Sequence, residues 1–269
     1  MNWFSLIKRI ELNPTELCNL KCSFCPRGHG YPNSDLHMSL DIVREIRRQL
    51  DECNYKMYVT ISGRGEPTLT KDFDKILDIL FENNPSYLVR MNTNGKRLLK
   101  YAEYIPKFYE INLDAYDVDK EKAYNWPDEI IRHQNVKVKW KPDYGLDYGK
   151  WNKELNKPTA MSNRAGLLKS KDRTNCSGTV CSYPFEKMFI NWNGDYNLCC
   201  DDWEVIKISN IYEESIPDYI NHNRTLSKYR EYHKLKQRSK LDICKTCDRV
   251  TKLSLPTRIA INEDPPVFK

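Results

Sequence analysis

The stretch best equipped for chemistry is Cys18-Asn-Leu-Lys-Cys22-Ser-Phe-Cys25, a C-x3-C-x2-C run followed at once by Pro26 and Arg27. Three thiolates on so short a loop can converge on one point, and soft sulfur donors select zinc, copper(I) or iron–sulfur clusters. A structural zinc site asks for four ligands, usually from two C-x2-C pairs. The next cysteine, Cys53, stands far downstream without a companion. Three thiolates on a 4Fe-4S cluster leave one iron without a protein ligand, and an open iron is where a small molecule can chelate. The plainer alternatives are a metal-stabilised loop without chemistry, or three unrelated buried cysteines.

A second set of thiols follows late in the chain: Cys181-x12-Gly194-x4-Cys199, then Cys244-Lys-Thr-Cys247. Four thiolates from a hairpin and a later knuckle suit a zinc ribbon-like site or a second 4Fe-4S cluster, and spacing alone leaves both open. Cys53 reads as a buried thiol near a helix end. Cys176 and Cys200 flank the second set and read as spare structural cysteines, with ligand substitution or hydrogen-atom donation as the alternatives.

The elements that must position these groups alternate between strand and helix. Strands are predicted over 6–13, 58–62, 87–91, 108–113 and 136–140. Helices are predicted from Ser39 to about Cys53, with Ile42, Val43, Ile46 and Leu50 on one face, and over 73–81, 97–104 and 119–133, the last interrupted by Pro127. This order implies parallel strands with right-handed crossovers, and functional residues at the strands' carboxyl ends. Gly63-Arg-Gly-Glu-Pro67, Asn92 and Asn112 fall at such ends. Five or six strands before residue 165 are too few for an eight-stranded barrel and fit a partial one. Past residue 165 the chain becomes polar and loop-like over 169–177. A hairpin follows over 187–198, with Asn193-Gly194 as a two-residue turn, then a helix over 218–236. The tail from Ser254, with Pro256, Pro265 and Pro266, is expected to be extended.

On these residues the chain resembles the radical S-adenosylmethionine (SAM) superfamily, whose signature is C-x3-C-x-(aromatic)-C. Phe24 occupies the aromatic slot. Gly63 to Pro67 resembles the family's GGEP motif, with Arg64 in place of the first of the paired glycines. The Cys181 to Cys247 pattern resembles the start of the SPASM/Twitch extension, and the later cysteines of the longer SPASM form do not follow Cys247. The resemblance implies an α/β fold: a partial (β/α)6 TIM barrel over 1–165 and a small hairpin-plus-helix Twitch domain over 166–269. It implies two 4Fe-4S clusters, a SAM-binding one on Cys18, Cys22 and Cys25 and an auxiliary one on Cys181, Cys199, Cys244 and Cys247. SAM would meet Phe24, Gly65, Glu66, Pro67, Asn92 and Asn112. A Ser-Asn-Arg-Gly-Gly stretch stands at the place of Ser162-Asn-Arg-Ala-Gly166 in a Twitch relative that oxidises an aminocyclitol. Arg164 is thereby expected to face the substrate, with Asp201 and Asp202 nearby as further catalytic candidates. The implied reaction is reductive cleavage of SAM to a 5′-deoxyadenosyl radical and hydrogen abstraction from a sugar, aminocyclitol or similar alcohol, by dehydrogenation or epimerisation. The auxiliary cluster would take up or relay an electron. Radical modification of a peptide or an RNA base is the alternative within the family; a non-catalytic zinc-binding module is the alternative outside it.

Composition sets outer limits. A net charge of +6 over 269 residues is a mild excess and is spread along the chain, so nucleic-acid binding is not indicated. No secretory signal opens the sequence and no apolar run approaches the ~18 residues of a membrane span. Ten cysteines clustered as metal ligands then point to a reducing, cytoplasmic setting. The partners expected are a small-molecule substrate and an electron donor such as flavodoxin or ferredoxin.

Overall fold

The computed structural model describes residues 2–22, 24–116, 126–141, 151–152, 157–158, 162–168, 175–249 and 251–263. Five strands, β1 (Arg9–Leu12), β2 (Tyr58–Ile61), β3 (Leu88–Thr93), β4 (Glu110–Tyr116) and β5 (Val136–Lys141), pair in parallel in sequence order. Their alternate residues divide as a pleated strand requires. Ile10, Leu12, Val59, Ile61, Val89, Met91, Ile111 and Leu113 belong to the main apolar core. The intervening Glu11, Asn13, Thr60, Asn112 and Asp114 are buried polar residues of the opposite face. Helices α1 (Leu40–Glu52) and α2 (Phe73–Phe81) form the first two crossovers. Ser39 caps α1 by accepting a hydrogen bond from the Ile42 N–H at 3.3 Å, and Ile42, Val43, Ile46 and Leu50 form its buried side as predicted. The expected helix after β3 is a kinked 3-10 stretch, Leu98–Lys107, with non-helical dihedrals at Tyr101. Of the helix predicted over 119–133, residues 119–125 lie outside the described set, and α3 (Asp128–Ile131) is a single turn capped by Pro127.

The result is an α/β fold with an open parallel sheet, in keeping with a partial barrel. Five strands of this sheet, rather than six, precede residue 165 among the described residues; β6 (Trp151–Asn152) and β7 (Lys157–Pro158) pair only with each other. The other edge of the sheet is extended by the C-terminal part of the chain. After α4 (Tyr183–Glu186), β8 (Lys187–Ile190) pairs in parallel with β1, and β9 (Asp195–Asn197) and β10 (Ser209–Asn210) follow antiparallel. One sheet of order β10-β9-β8-β1-β2-β3-β4-β5 therefore runs through both halves, and one apolar core spans Leu113 at one end and Tyr219 at the other.

Three local expectations need correction. The hairpin turn is a three-residue loop, Trp192 to Gly194. Gly194 N–H bonds back to Asn191 O at 2.9 Å, and Gly194 itself takes φ 83°, which makes it a type I turn closed by a left-handed glycine. The helix over 218–236 is two helices, α5 (Ile216–His222) and α6 (Arg224–Lys234). Asn223 between them is extended, and its side chain accepts from Leu226 N–H, so a good N-cap residue starts a new helix. The tail is not extended at 254–263: α7 (Leu255–Glu263) is helical, with Pro256 in its first turn, where a missing N–H costs nothing. Pro265 and Pro266 lie outside the described residues.

Candidate active site

The carboxyl ends of β1 to β4 open onto a cleft of about 600 Å3, counting the part open to solvent. Cys18, Cys22, Phe24 and Cys25 line one wall; Gly63, Arg64, Gly65, Glu66, Asn92 and Arg164 contribute the rest with Ser62, Thr93, Asn94, Asp114 and Trp203. The cysteine loop is held in a defined shape. Asn33 accepts from Cys18 N–H at 2.8 Å and donates to Cys18 O at 3.0 Å, and Cys25 N–H bonds Cys22 O at 3.0 Å. Arg27, almost fully buried, ties the loop down through Glu16 Oε2 and the carbonyl oxygen of Arg64, both at 3.0 Å. Phe24 is buried against Leu168, with Cys22 and Cys25 packed on the same small cluster. The three thiols are only partly buried.

Gly65 is required by close approach: a Cβ there would lie 2.2 Å from Thr15 O. Glu66 faces inward. Its carboxylate accepts from Thr68 N–H and Oγ1, from Thr93 Oγ1 and from Asn94 N–H at 2.5–3.2 Å, which knits the β2 exit to the β3 exit. Burial nonetheless pushes its carboxyl above the ordinary value. Pro67 begins a 3-10 turn on that support. Asn92 lines the cleft and donates to Ser62 Oγ at 3.1 Å. Asn112 stands one strand further on, donates to Asn92 Oδ1 at 2.9 Å, and is not among the residues lining the cleft.

The second set gathers behind β8. Cys181, Cys244 and Cys247 are buried, and Cys181 shares an apolar cluster with Cys199. Burial pushes the Cys244 thiol up to about 12 and Cys247 to about 11; Cys244 has Cys181 and Cys247 as charge neighbours, and Cys199 has Cys244 and Cys247. Thiols so placed resist becoming thiolates on their own, and a bound cationic centre reverses that balance. Among the described residues no group of three or more His, Cys, Asp or Glu is already closed around a metal-sized point. The fit to iron–sulfur centres rests on the donor sets: three thiols beside an open cleft, and four more, three of them buried and Cys199 partly so, gathered in the second set. Cys200, pushed up to about 11 by burial, lines a neighbouring cavity, and Cys176 is buried nearby.

Arg64 connects the two regions. From the β2 exit its guanidinium reaches Glu16 Oε1 at 2.8 Å, Asp202 O at 3.2 Å and the Asn191 side chain in the hairpin turn. A glycine could make none of these contacts. Asp201 is buried, donor to none and acceptor to many: it takes hydrogen bonds from Ser162 Oγ (2.7 Å), Arg164 Nη1 (3.0 Å), Arg249 Nη2 (2.8 Å) and Arg249 Nε. Burial opposes its charge, but Arg249 and Arg164 hold its carboxyl well below the usual range. Asp202 turns its carboxylate away to the Val205 and Ile206 N–H groups at 3.0 and 3.1 Å, with burial pushing it up to about 6. Of the three catalytic candidates, then, Arg164 reaches the cleft, Asp201 supports it from behind, and Asp202 caps a loop. Asp201→Asn leaves two largely covered guanidiniums facing a neutral amide in a buried position, and the expected loss is about 3–5 kcal/mol. Urea unfolding of the cluster-loaded protein measures it; a loss under about 1 kcal/mol, the range of an exposed pair, would remove this role from Asp201.

A smaller cavity of about 280 Å3 adjoins the cleft and shares Gly63 and Arg64 with it; Glu11, Asn191, Asn197, Cys199 and Cys200 also line it. Burial raises the Glu11 carboxyl above its ordinary value, against the opposing pull of Lys187, Arg9 and Arg249. Glu11 was not singled out from sequence, though an acidic residue alternating with core positions on a central strand is a usable signal. Thr93, Asn94 and Asp114 follow from the same strand-exit rule as Asn92. Trp203, in edge contact with Tyr31 at 4.8 Å, carries no local signal of its place.

A partial α/β barrel with one cysteine triad at its active end and a second cysteine set on an added hairpin defines a class. Residues 12–135 match the radical SAM superfamily, and residues 181–248 match the SPASM iron–sulfur cluster-binding domain. The chain thus carries a radical SAM domain followed by an auxiliary SPASM/Twitch-type domain, and these domains bring 4Fe-4S clusters and SAM as its cofactors. It is 24% identical over 251 residues to the S-adenosyl-L-methionine-dependent 2-deoxy-scyllo-inosamine dehydrogenase of Niallia circulans, covering 91% of this chain and 94% of that one. The crystal structure of BtrN in complex with AdoMet and 2-DOIA has the same fold, with a TM-score of 0.74 at 22% identity over 93% of this chain and 96% of that one. Locally, 97 residues are 33% identical to the GTP 3′,8-cyclase of Klebsiella pneumoniae subsp. pneumoniae, 35% of this chain and 29% of that one. No helix among the described residues is long and apolar enough to cross a membrane.

Proposed function

We propose that this protein dehydrogenates an alcohol carbon of a small hydroxylated substrate, a sugar or aminocyclitol. Cys18, Cys22 and Cys25 would hold the SAM-binding cluster, and Cys181, Cys199, Cys244 and Cys247 the auxiliary one. The observation that carries this reading is the pair of adjoining cavities, one walled by Cys18, Cys22 and Cys25, the other reaching Cys199 of the second set, and both walled by Gly63 and Arg64. The near full-length similarity to an aminocyclitol dehydrogenase supports the substrate class. The division at residues 1–165 and 166–269 is proposed as the boundary between the SAM-cleaving and electron-accepting parts. Flavodoxin or ferredoxin as electron donor, and a cytoplasmic location, belong to the same reading.

When bound, the clusters and SAM supply a 5′-deoxyadenosyl radical that takes hydrogen from the substrate and an acceptor for the electron left behind. The chain's own residues orient and exclude. Phe24 walls the cleft beside the triad, and Gly65 lets backbone approach the ligand. Because Glu66 spends its acceptors on Thr68, Thr93 and Asn94, the backbone carbonyls beside Gly65 are left to receive the SAM ammonium group. Asn92 contacts the ligand, and Asn112 acts on it by holding Asn92. Arg164 has one guanidinium arm fixed on Asp201, and its Nε is buried without a hydrogen-bond partner among the described residues. The Arg164 side chain lines the cleft, where its guanidinium would bind a substrate oxygen and stabilise it as negative charge develops.

The hydroxyl proton must also leave, and Glu11 is assigned as its acceptor. Its raised pKa makes it a better base than a free carboxylate, and the carboxylate form exists only above that pKa. Turnover should therefore fall as pH drops through a value above the ordinary carboxylate range. Glu11→Gln should lower turnover about 10²–10⁴-fold and abolish that acid limb. An unchanged pH profile in the variant would remove Glu11 from the reaction.

Epimerisation is a second reading, favoured by Cys200 on the wall of the smaller cavity as a hydrogen-atom donor. Anaerobic reconstitution followed by incubation with SAM, reductant and a panel of polyols and aminocyclitols tests the whole reading. About eight irons per chain and a ketone product are expected; an inverted alcohol would select epimerisation. Zinc in place of iron, or no SAM cleavage, would overturn the enzyme reading.

A further inference from the structure

His233 on α6 reaches into the second cysteine set. It is fully buried, and its two ring nitrogens have different tasks. Nδ1 lies 3.2 Å from the backbone N of Cys181 and accepts that N–H, so it carries no proton. The proton of the neutral ring is then on Nε2, which lies 3.6 Å from Cys244 Sγ. The ring is thus wedged between two of the four proposed ligands, oriented by the backbone of one and donating to the sulfur of the other. Arg238, equally buried, stands on the same side. One arm bonds Thr179 Oγ1 at 3.3 Å and Arg249 O at 3.0 Å, and its Nε has no hydrogen-bond partner among the described residues.

We propose that the His233 Nε2–H donates a hydrogen bond to the Cys244 sulfur ligand and, together with the buried Arg238 charge, raises the reduction potential of the auxiliary cluster. This inference rests on the two-cluster reading above. Hydrogen bonds and positive charge at cluster sulfurs stabilise the reduced, more negative state, because they neutralise electron density that reduction adds to the sulfur. A cluster so placed is a better electron acceptor, which is what oxidation of a substrate radical asks of it. Geometry separates this role from packing. A leucine in the same space fills the core but cannot donate, whereas a glutamine carries an N–H close to the position of Nε2. His233 is therefore a positioning residue, acting through Cys244 rather than on the substrate.

The test is a potentiometric titration of the full-length, two-cluster protein followed by EPR. The SAM-binding cluster is told apart by its response to added SAM. At a fixed potential near the wild-type midpoint, His233→Leu should lower the reduced-to-oxidised ratio of the auxiliary cluster about tenfold, which is about 59 mV for one electron. His233→Gln should recover most of the ratio, and the SAM-binding cluster should not move in either variant. A two-cluster His233→Leu protein with an unchanged ratio overturns the inference and leaves the two-cluster reading standing. Wild-type protein that holds a single cluster overturns both. Should His233→Leu fail to take up its second cluster, pulsed EPR of wild-type protein with 15N-histidine decides. Coupling of the reduced auxiliary cluster to one nitrogen and one exchangeable proton is expected, and its absence overturns the inference.

Discussion

Replacing Cys22 by alanine will end the reductive cleavage of SAM and remove about four of about eight irons, those of the SAM-binding cluster. Cys22 sits in the middle of a loop that other groups hold in place. Asn33 clamps Cys18, the Cys22 carbonyl accepts from Cys25 N–H, and Arg27 anchors the loop to Glu16. The variant therefore keeps its fold and its second cysteine set, and the loss falls on one ligand out of three. With two thiolates left, the loop has one donor too few for a cluster that already has an open iron. Anaerobic iron counting and chromatographic assay of 5′-deoxyadenosine with dithionite measure both halves of the result. Retained SAM cleavage would mean that another residue completes the site, or that the open iron is elsewhere.

Such a loop is legible in sequence because its information is local. Three ligands, an aromatic and their spacing all lie within one turn of chain, and no distant partner decides whether they converge. The strand exits are legible for a related reason: the alternation of β and α segments says where each strand stops, and Asn92, Thr93 and Asn94 stop with β3. The pairing of β8 with β1 is not legible, because residues 9–12 and 187–190 carry no mark that they will be neighbours. Glu66 and Arg64 illustrate the same limit within one motif. The sequence places both in a ligand-binding turn, but only the fold reveals that Glu66 spends its oxygens on β3. Only the fold brings Asn191 and Asp202 within reach of Arg64. The Asp201-Asp202 pair looks symmetrical as text and is not. One side chain meets two guanidiniums and the other caps two backbone amides, so a base must be sought elsewhere, and Glu11 is where the buried acid lies.

Arg64 also bears on how the two halves work together. Glu16 is gripped by Arg27 from the cysteine loop and by Arg64 from the β2 exit, and Arg64 continues to the hairpin turn and to the segment after Cys199. All of these groups are buried, where a charge left unpaired is far more costly than at the surface. The cleft proposed for SAM and the module that holds the second cysteine set therefore share one ion-pair network and one sheet. Motion of one against the other would break it. With both proposed centres in place, packing would fix their spacing, and a substrate in the adjoining cavities would meet both in one register.

That fixed register predicts a specific failure when only the second centre is lost. In Cys247→Ala, SAM cleavage should persist at a rate of the same order as wild type, while ketone formation falls to background. Cys247 lies in the knuckle after α6, its backbone N–H bonded to Cys244 O at 3.2 Å and its sulfur accepting from Arg249 N–H at 3.5 Å, remote from the triad's own supports. Removing its sulfur leaves Cys18, Cys22 and Cys25 and their anchors intact, so the radical-forming half is spared. The substrate-derived radical then has no acceptor for its electron and is quenched or reverts. The readout is the ratio of 5′-deoxyadenosine to oxidised product, near one in wild type and rising without limit in the variant as product disappears. A Cys247→Ala protein that turns over fully would show that the electron leaves by another route, and the second centre would be structural. A variant that loses SAM cleavage as well would show instead that the auxiliary centre feeds the first, which reverses the direction of electron flow proposed for it.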